Sequence, residues 1–145
     1  MKILIDADAS PVRKITRDLA EKFHIDLVIV CNIHHMIETD YGQVITVDAG
    51  NDVADHEIVR LTDKGDLVVT QDYGLASLVL LKGAYALHQD GWFYTSHNID
   101  MLLLQRQIGQ KMRRAKKRYG HTSKRKEVDD IKFKETLEKF LEERK

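Results

Sequence analysis

Cysteine occurs once in this chain of 145 residues, at Cys31, and proline once, at Pro11. A single thiol excludes an intrachain disulfide framework and a thiolate zinc cluster. It follows the mostly apolar run 25–30, so Cys31 reads as a small buried hydrophobe. No apolar stretch approaches the ~20 residues that span a bilayer, and the first residues lack the pattern of a secretory leader. Cytoplasmic location without a membrane partner is the expectation. Internal repeats and low-complexity segments are also missing. What is present, 43% hydrophobic residues, suits one domain with a real core, since chains of ~150 residues bury about 70% of their unfolded surface.

Net charge is absent only on average, with 23 Lys and Arg against 23 Asp and Glu. Residues 1–100 hold 8 basic and 16 acidic side chains, residues 101–126 hold 10 basic and no acidic ones, and residues 127–145 hold 5 and 7. An acidic body beside a basic segment is compatible with a metal at one place and a phosphate backbone at another.

Short strand-like runs alternate with helical ones, which predicts βαβ units and an α/β domain with a mostly parallel sheet. Strands are expected at 2–6, 27–30, 44–47, 66–70 and 85–87. Ser10 is placed to cap the first helix, with Pro11 at its first position. Val12, Ile15, Leu19 and Phe23 continue that helix as an apolar stripe. Asn51 or Asp52 opens a second helix, 74–82 forms a third closed by Gly83, and a long one runs from Asn98 into the basic block. A last amphipathic helix over about 129–143 presents Phe133, Leu137, Phe140 and Leu141 at helical spacing.

Three stretches carry carboxylates where a ligand could reach them. Asp6 and Asp8 close the first strand and project to one side of an extended chain. Asp52 and Asp55, three apart, share a face of the second helix, while Glu57 lies about 200° from Asp55. Asp72 follows the fourth strand as Asp6 follows the first. In a parallel sheet both strand ends lie on one edge, in the crevice where such folds bind ligands. Capping competes for Asp8, Asp52 and Asp72, each of which stands near a helix start. Carboxylates so grouped repel one another unless a cation is present, and their hard oxygens suit Mg²⁺ or Mn²⁺. The chemistry this supports is displacement at phosphorus. Ser10 and Thr70 are supporting hydroxyls, able to donate to phosphate or to a ligand carboxylate.

The motifs DADASP at 6–11, DVADHEIV at 52–59 and GDLVVTQDYGLA at 65–76 closely resemble those of the YaiI/YqxD family of uncharacterised bacterial proteins. There they read approximately DADACP, D-V-A-D-x-E-I-V and G-D-L-V-I-T-x-D-x-x-L-A, and the likeness extends from Met1 to about Ile108. That family is placed among PIN-like proteins, which resemble metal-dependent ribonucleases with a 5′-exonuclease-like, three-layer α/β fold. The resemblance implies a PIN-like domain over 1–110; charge and apolar spacing add a basic segment over 111–126 and a C-terminal helix of the same domain over 127–145. By that resemblance the chain also takes catalytic and metal-binding residues. The implied catalytic roles fall to Asp6, Asp55 and Asp72. The resemblance also implies Mg²⁺ or Mn²⁺ held among Asp6, Asp8, Asp52, Asp55 and Asp72, and RNA or another phosphodiester as substrate. Ser10 replaces the family's usual cysteine, so thiol chemistry at that position is excluded.

In the run KMRRAKKR, residues 111–118, one helix face would carry Lys111, Arg114, Lys117 and Arg118 and could track a phosphate backbone. Two other readings compete. A haloacid-dehalogenase-like phosphatase would use Asp6 as nucleophile and Asp8 as general acid, but needs a positioned lysine, and Lys64 and Lys82 stand in turn-like contexts. A non-catalytic RNA-binding module would keep the basic helix and reduce the acids to a structural cation site.

Overall fold

The computed structural model describes residues 1–50, 52–114 and 125–144, with backbone alone at 8–10 and 112–114. Five strands, β1 (Lys2–Asp6), β2 (Asp26–Asn32), β3 (Gln43–Val47), β4 (Leu67–Val69) and β5 (Tyr85–Leu87), form one parallel sheet in the order β3-β2-β1-β4-β5. The central strands are apolar without alternation because both faces are covered. Ile3, Leu4 and Ile5 are all fully buried. Ile3, Ile5, Leu27, Ile29, Leu67 and Val69 face one way, toward α1 (Arg13–Lys22) and α5 (Glu127–Glu142). Leu4, Val28, Val30, Val68 and Ala86 face the other way, toward α2 (Val53–Leu61), α3 (Tyr73–Leu81) and α4 (Ser96–Arg114). The result is the expected α/β class, with a parallel sheet between two helical layers.

The chain steps from β1 outward to β2 and β3, then returns across the sheet to β4 and β5. Parallel crossovers keep one hand, so reversing the step direction moves the connecting helix to the opposite face. That is why α1 lies on one side and α2 and α3 on the other. The reversal falls between β1 and β4, the position at which open α/β sheets leave a crevice beyond the strand carboxyl ends.

Local chemistry sets several boundaries differently from the sequence expectation. Ser10 and Pro11 do not start α1. They belong to a 3₁₀ helix over Ala7–Val12, and α1 begins at Arg13 behind Val12, which gives no side-chain cap. The tighter 3₁₀ turn takes the chain off the strand end, and Pro11 fits there with its fixed φ. β2 runs two residues past the predicted end, because Cys31 and Asn32 pair with Thr46 and Val47. Asn98 is the third residue of α4 rather than its start. Its Oδ1 accepts from the Thr95 N–H at 2.8 Å and its N–H donates to Thr95 Oγ1 at 3.1 Å, a reciprocal cap.

The C-terminal helix completes the first core. Phe133, Leu137, Phe140 and Leu141 are buried against β1 and α1 residues. Arg125 fastens its start, with Nη1 on Asp90 at 2.9 Å, Nη2 on the Gln89 carbonyl at 2.9 Å and Nε on Asp130 at 2.8 Å. Gly91 turns the β5 extension back with φ near +87°, and a Cβ there would stand 2.8 Å from the Lys132 carbonyl carbon. No helix among the described residues is long and apolar enough to cross a membrane.

Candidate functional site

The crevice at the β1/β4 reversal is built around one hydroxyl. Asp6, the last residue of β1, is 4% exposed. Thr70, just past β4 and fully buried, donates its Oγ1–H to Asp6 Oδ2 at 3.1 Å. The same Oγ1 accepts from the Asp72 N–H at 3.0 Å. Thr70 therefore ties the two strand ends together and is committed to Asp6, not to an incoming phosphate. Its own backbone is held on both sides. The N–H donates to the Leu87 carbonyl at 3.1 Å, and the carbonyl accepts from Tyr94 Oη at 3.2 Å. Burial, reinforced by the charges of Asp72 and Asp90, raises the Tyr94 phenol far above its ordinary range, so it stays a donor.

Asp72 performs two tasks at once. Its Oδ1 accepts from the N–H groups of Gly74 at 2.8 Å and Leu75 at 3.3 Å, capping α3. Its carboxyl group also hydrogen-bonds that of Asp55, in the first turn of α2. Asp55 is pushed up to about 6, first by burial, then by the charges of Asp72 and Asp6, by the hydrogen bond to Asp72, and by Asp52. Asp6, Asp55 and Asp72 are thus electrostatic neighbours, and burial together with their mutual repulsion favours the protonated form of Asp55.

Asp52 caps nothing with its side chain. It precedes α2 in the left-handed region at φ 64° and makes no side-chain cap hydrogen bond. A non-glycine residue held there is mildly strained, and such strain gathers at functional sites. Asp6, Asp52, Asp55 and Asp72 line one cleft of about 240 Å³, with Cys31, Asn32 and Gly50 among the other walls. Glu57 lies outside it and pairs with Arg60. Asp8 and Ser10 lie in the 3₁₀ helix that follows Asp6, and their side chains fall outside the described structure.

The donor chemistry of this cleft fits a hard divalent cation: every charged lining group is a carboxylate, and no lysine or arginine among the described residues lines it. The shell is not closed. Among the described residues, no three His, Cys, Asp or Glu groups stand in a ready coordination arrangement. The carboxylates are gathered to within repulsive and hydrogen-bonding range of one another, without yet converging on one point.

The basic face is only partly within view. Lys111 is exposed on α4, and Arg114 is its final residue, described by its backbone alone. Lys117 and Arg118 lie outside the described residues. A cation of the same helix that the sequence reading passed over, Arg106, sits 5.9 Å from the ring centre of Tyr73, the residue after Asp72. Lys111 lies about 7.5 Å further along the helix axis at ~1.5 Å per residue. Three other residues were missed. Tyr94 supports Thr70, and its signal was a buried phenol in need of an acceptor. Asn32 and Cys31 reach the cleft because β2 is longer than its apolar run.

A weak whole-chain likeness, at TM-score 0.44 and 14% identity over 100% of both chains, is to the crystal structure of a mutant Rae1 (YacP) from Bacillus subtilis, and it is too distant to carry a function across. Much nearer in sequence is a UPF0178 protein of Alkaliphilus oremlandii, 50% identical over 143 residues, which are 99% of this chain and 92% of that one. A UPF0178 protein of Natranaerobius thermophilus is 48% identical over 141 residues, 97% of this chain and 96% of the relative. Residues 4–143 match the profile of the family described as "Uncharacterized BCR, YaiI/YqxD family". With that match across nearly its whole length and relatives near half identity, the chain belongs to the YaiI/YqxD family.

Proposed function

We propose that this protein is a Mg²⁺- or Mn²⁺-dependent phosphodiester hydrolase, ribonuclease-like in its choice of substrate. One observation carries the reading: four aspartates from three separate segments line a single cleft at the sheet reversal, where burial and the neighbouring charges push Asp55 up to about 6. Such a group is unstable as four bare anions and is relieved by a cation. Bound there, the cation supplies positive charge to phosphate oxygens and makes water more acidic. Asp6 and Asp72, positioned through Thr70, supply the fixed donors. Asp55, raised to about 6 in the cation-free cleft, is the most basic of these carboxylates described there and the group suited to accept a proton from attacking water.

The phosphatase alternative loses its lysine. Lys82 Nζ donates to the Val59 carbonyl at 2.6 Å, and Lys64 packs against Gly83 at the opposite edge of the sheet. The deciding experiment incubates purified protein with single-stranded RNA and with bis(p-nitrophenyl) phosphate in Mg²⁺, Mn²⁺ or EDTA. Cleavage that requires a cation and falls on the order of 100-fold or more in Asp6→Asn is expected. Absence of cleavage of every substrate in either cation would overturn the reading. If RNA were then still bound equally by wild type and Asp6→Asn, the protein would be a binding module.

A further inference from the structure

The acidic cleft does not end at its own walls. Ala7 and Asn32 line both it and a neighbouring open groove of about 540 Å³, whose other walls include Arg13, His35, Met36 and Gln71. Two features of this groove are unexplained by folding. The first is Arg13. It opens α1, the helix end at which a positive side chain is electrostatically disfavoured. Half-buried, it forms no ion pair or hydrogen bond with any described residue, although Glu38 lines the same groove. One turn later, Arg17 is neutralised by Asp18 at 2.7 Å, Glu21 at 2.9 Å and Asp40 at 2.7 Å. The second is Asn32, at the junction. Its Oδ1 accepts from the His34 N–H at 2.8 Å, while its Nδ2 has no partner among the described residues. An unpaired cation and a spare donor therefore follow one after the other along the exit from a carboxylate cleft.

We propose that this groove holds a single-stranded nucleic acid leading away from the acidic cleft, with Asn32 donating at the junction and Arg13 binding a backbone phosphate. The inference rests on the hydrolase reading for the cleft itself, but the groove is testable by binding alone. A guanidinium suits phosphate because its planar donors match two oxygens. The rim suits bases: Met36 is 74% exposed and stands beside exposed His35, giving an apolar and an aromatic surface for stacking. Polynucleotide binding would then follow the β2 side of the cleft as well as the basic face of α4.

The test measures fluorescence anisotropy of labelled single-stranded RNA and DNA about ten nucleotides long, with the full chain in Ca²⁺. Arg13→Ala is expected to weaken binding about tenfold, as loss of a charge-assisted hydrogen bond does. It should also lower the slope of log affinity against log salt by about 0.7, the value for one phosphate of a single strand. Arg13→Lys should recover part of both. Lys64→Ala, which removes the same charge at the opposite sheet edge, should change neither. In cleavage assays Arg13→Ala should raise KM more for the oligonucleotide than for bis(p-nitrophenyl) phosphate, which spans only the cleft. Wild-type affinity and slope in Arg13→Ala, or no binding by the wild type, would overturn the groove whether or not the cleft hydrolyses anything. Arg13-dependent binding without cleavage in any cation would keep the groove and overturn the hydrolase.

Discussion

Asp55→Asn should make the cation-free protein more stable at neutral pH and the cation-loaded protein relatively less so. Asp55 is raised from 3.8 to about 6, with burial as the largest cause and the charges of Asp72 and Asp6 next. A carboxyl whose folded pKa exceeds its unfolded one binds more protons in the native state between those values. Its contribution to stability is present below pH ~4 and is lost as pH rises through ~6. The full shift corresponds to about 3 kcal/mol at ~1.36 kcal/mol per unit. Asp55 is only half-buried, so solvent screening reduces this to about 1 kcal/mol. Asparagine removes the charge and keeps an N–H for Asp72. In EDTA the stability difference between variant and wild type should therefore grow by about 1 kcal/mol from pH 4 to pH 7, or roughly 3 °C in Tm for a chain of this size. At a hundredfold excess of Mn²⁺ over its Kd the wild type gains about 2.7 kcal/mol, the variant gains less, and the order of stability reverses. Urea denaturation at several pH values, with and without Mn²⁺, reads both effects. A variant less stable than wild type at pH 7 in EDTA, with an unaltered pH slope, would refute the electrostatic account of the cleft.

Other perturbations separate position from charge. Thr70→Val keeps the shape of the side chain but removes the donor to Asp6 and the acceptor for the Asp72 N–H. Cation affinity by calorimetry, and any cleavage, should fall about 10- to 100-fold, as for groups that orient ligands, with about 1–3 kcal/mol of stability lost to unsatisfied buried polar groups. Asp66→Ala, at the amino end of β4, removes the acceptor for Lys2 Nζ at 2.6 Å and for the N–H groups of Lys2 and Asp63. It should cost about 2–3 kcal/mol in urea denaturation and leave cation affinity unchanged. Lys111→Ala should lower the salt slope of RNA binding by about 0.7, with kcat unaltered; an unaltered slope would remove α4 from the interface.

The strands and their parallel order were legible because both faces of the sheet are covered, which writes continuous apolar runs such as Ile3–Leu4–Ile5 into the chain. The helix faces of α5 were legible for the same reason, since Phe133, Leu137, Phe140 and Leu141 have a single core to enter. Termini were less so. An apolar run marks where a strand is buried, whereas backbone pairing decides where it stops, and Asn32 stays in β2 through its pairing with Val47. At the cleft, capping and a place among the grouped carboxylates looked like alternatives for Asp72. They coexist because a carboxylate has several acceptor positions: Oδ1 takes two N–H groups while the carboxyl group also meets Asp55. Asp52 went the other way, since no pattern of residue types announces a left-handed φ that turns a natural cap away from its helix.

Two buried aspartates border the β1/β4 pair at its opposite ends, each 4% exposed, and their surroundings differ in kind. Asp66 is enclosed by donors, an ammonium and two backbone N–H groups, which hold its carboxyl below the usual range despite its burial. That environment requires nothing further and marks a structural ion pair. Asp6 shares its end with Asp55 and Asp72; the Thr70 hydroxyl donates to Asp6 and the α3 N–H groups donate to Asp72, uncharged donors that fix carboxylates in place. Fixing like charges close together opposes stability, so the hydroxyl and the helix cap act against the repulsion and hold the cluster formed without a cation. This is why Thr70→Val discriminates better than replacing an aspartate. Removing Asp6 deletes a donor and a repulsion together, and both a built site and an incidental acidic patch would respond. Removing the Thr70 hydroxyl leaves every charge in the cleft. An incidental patch, attracting cations by charge alone, would keep its affinity; a site whose oxygens are positioned through Thr70 would lose it.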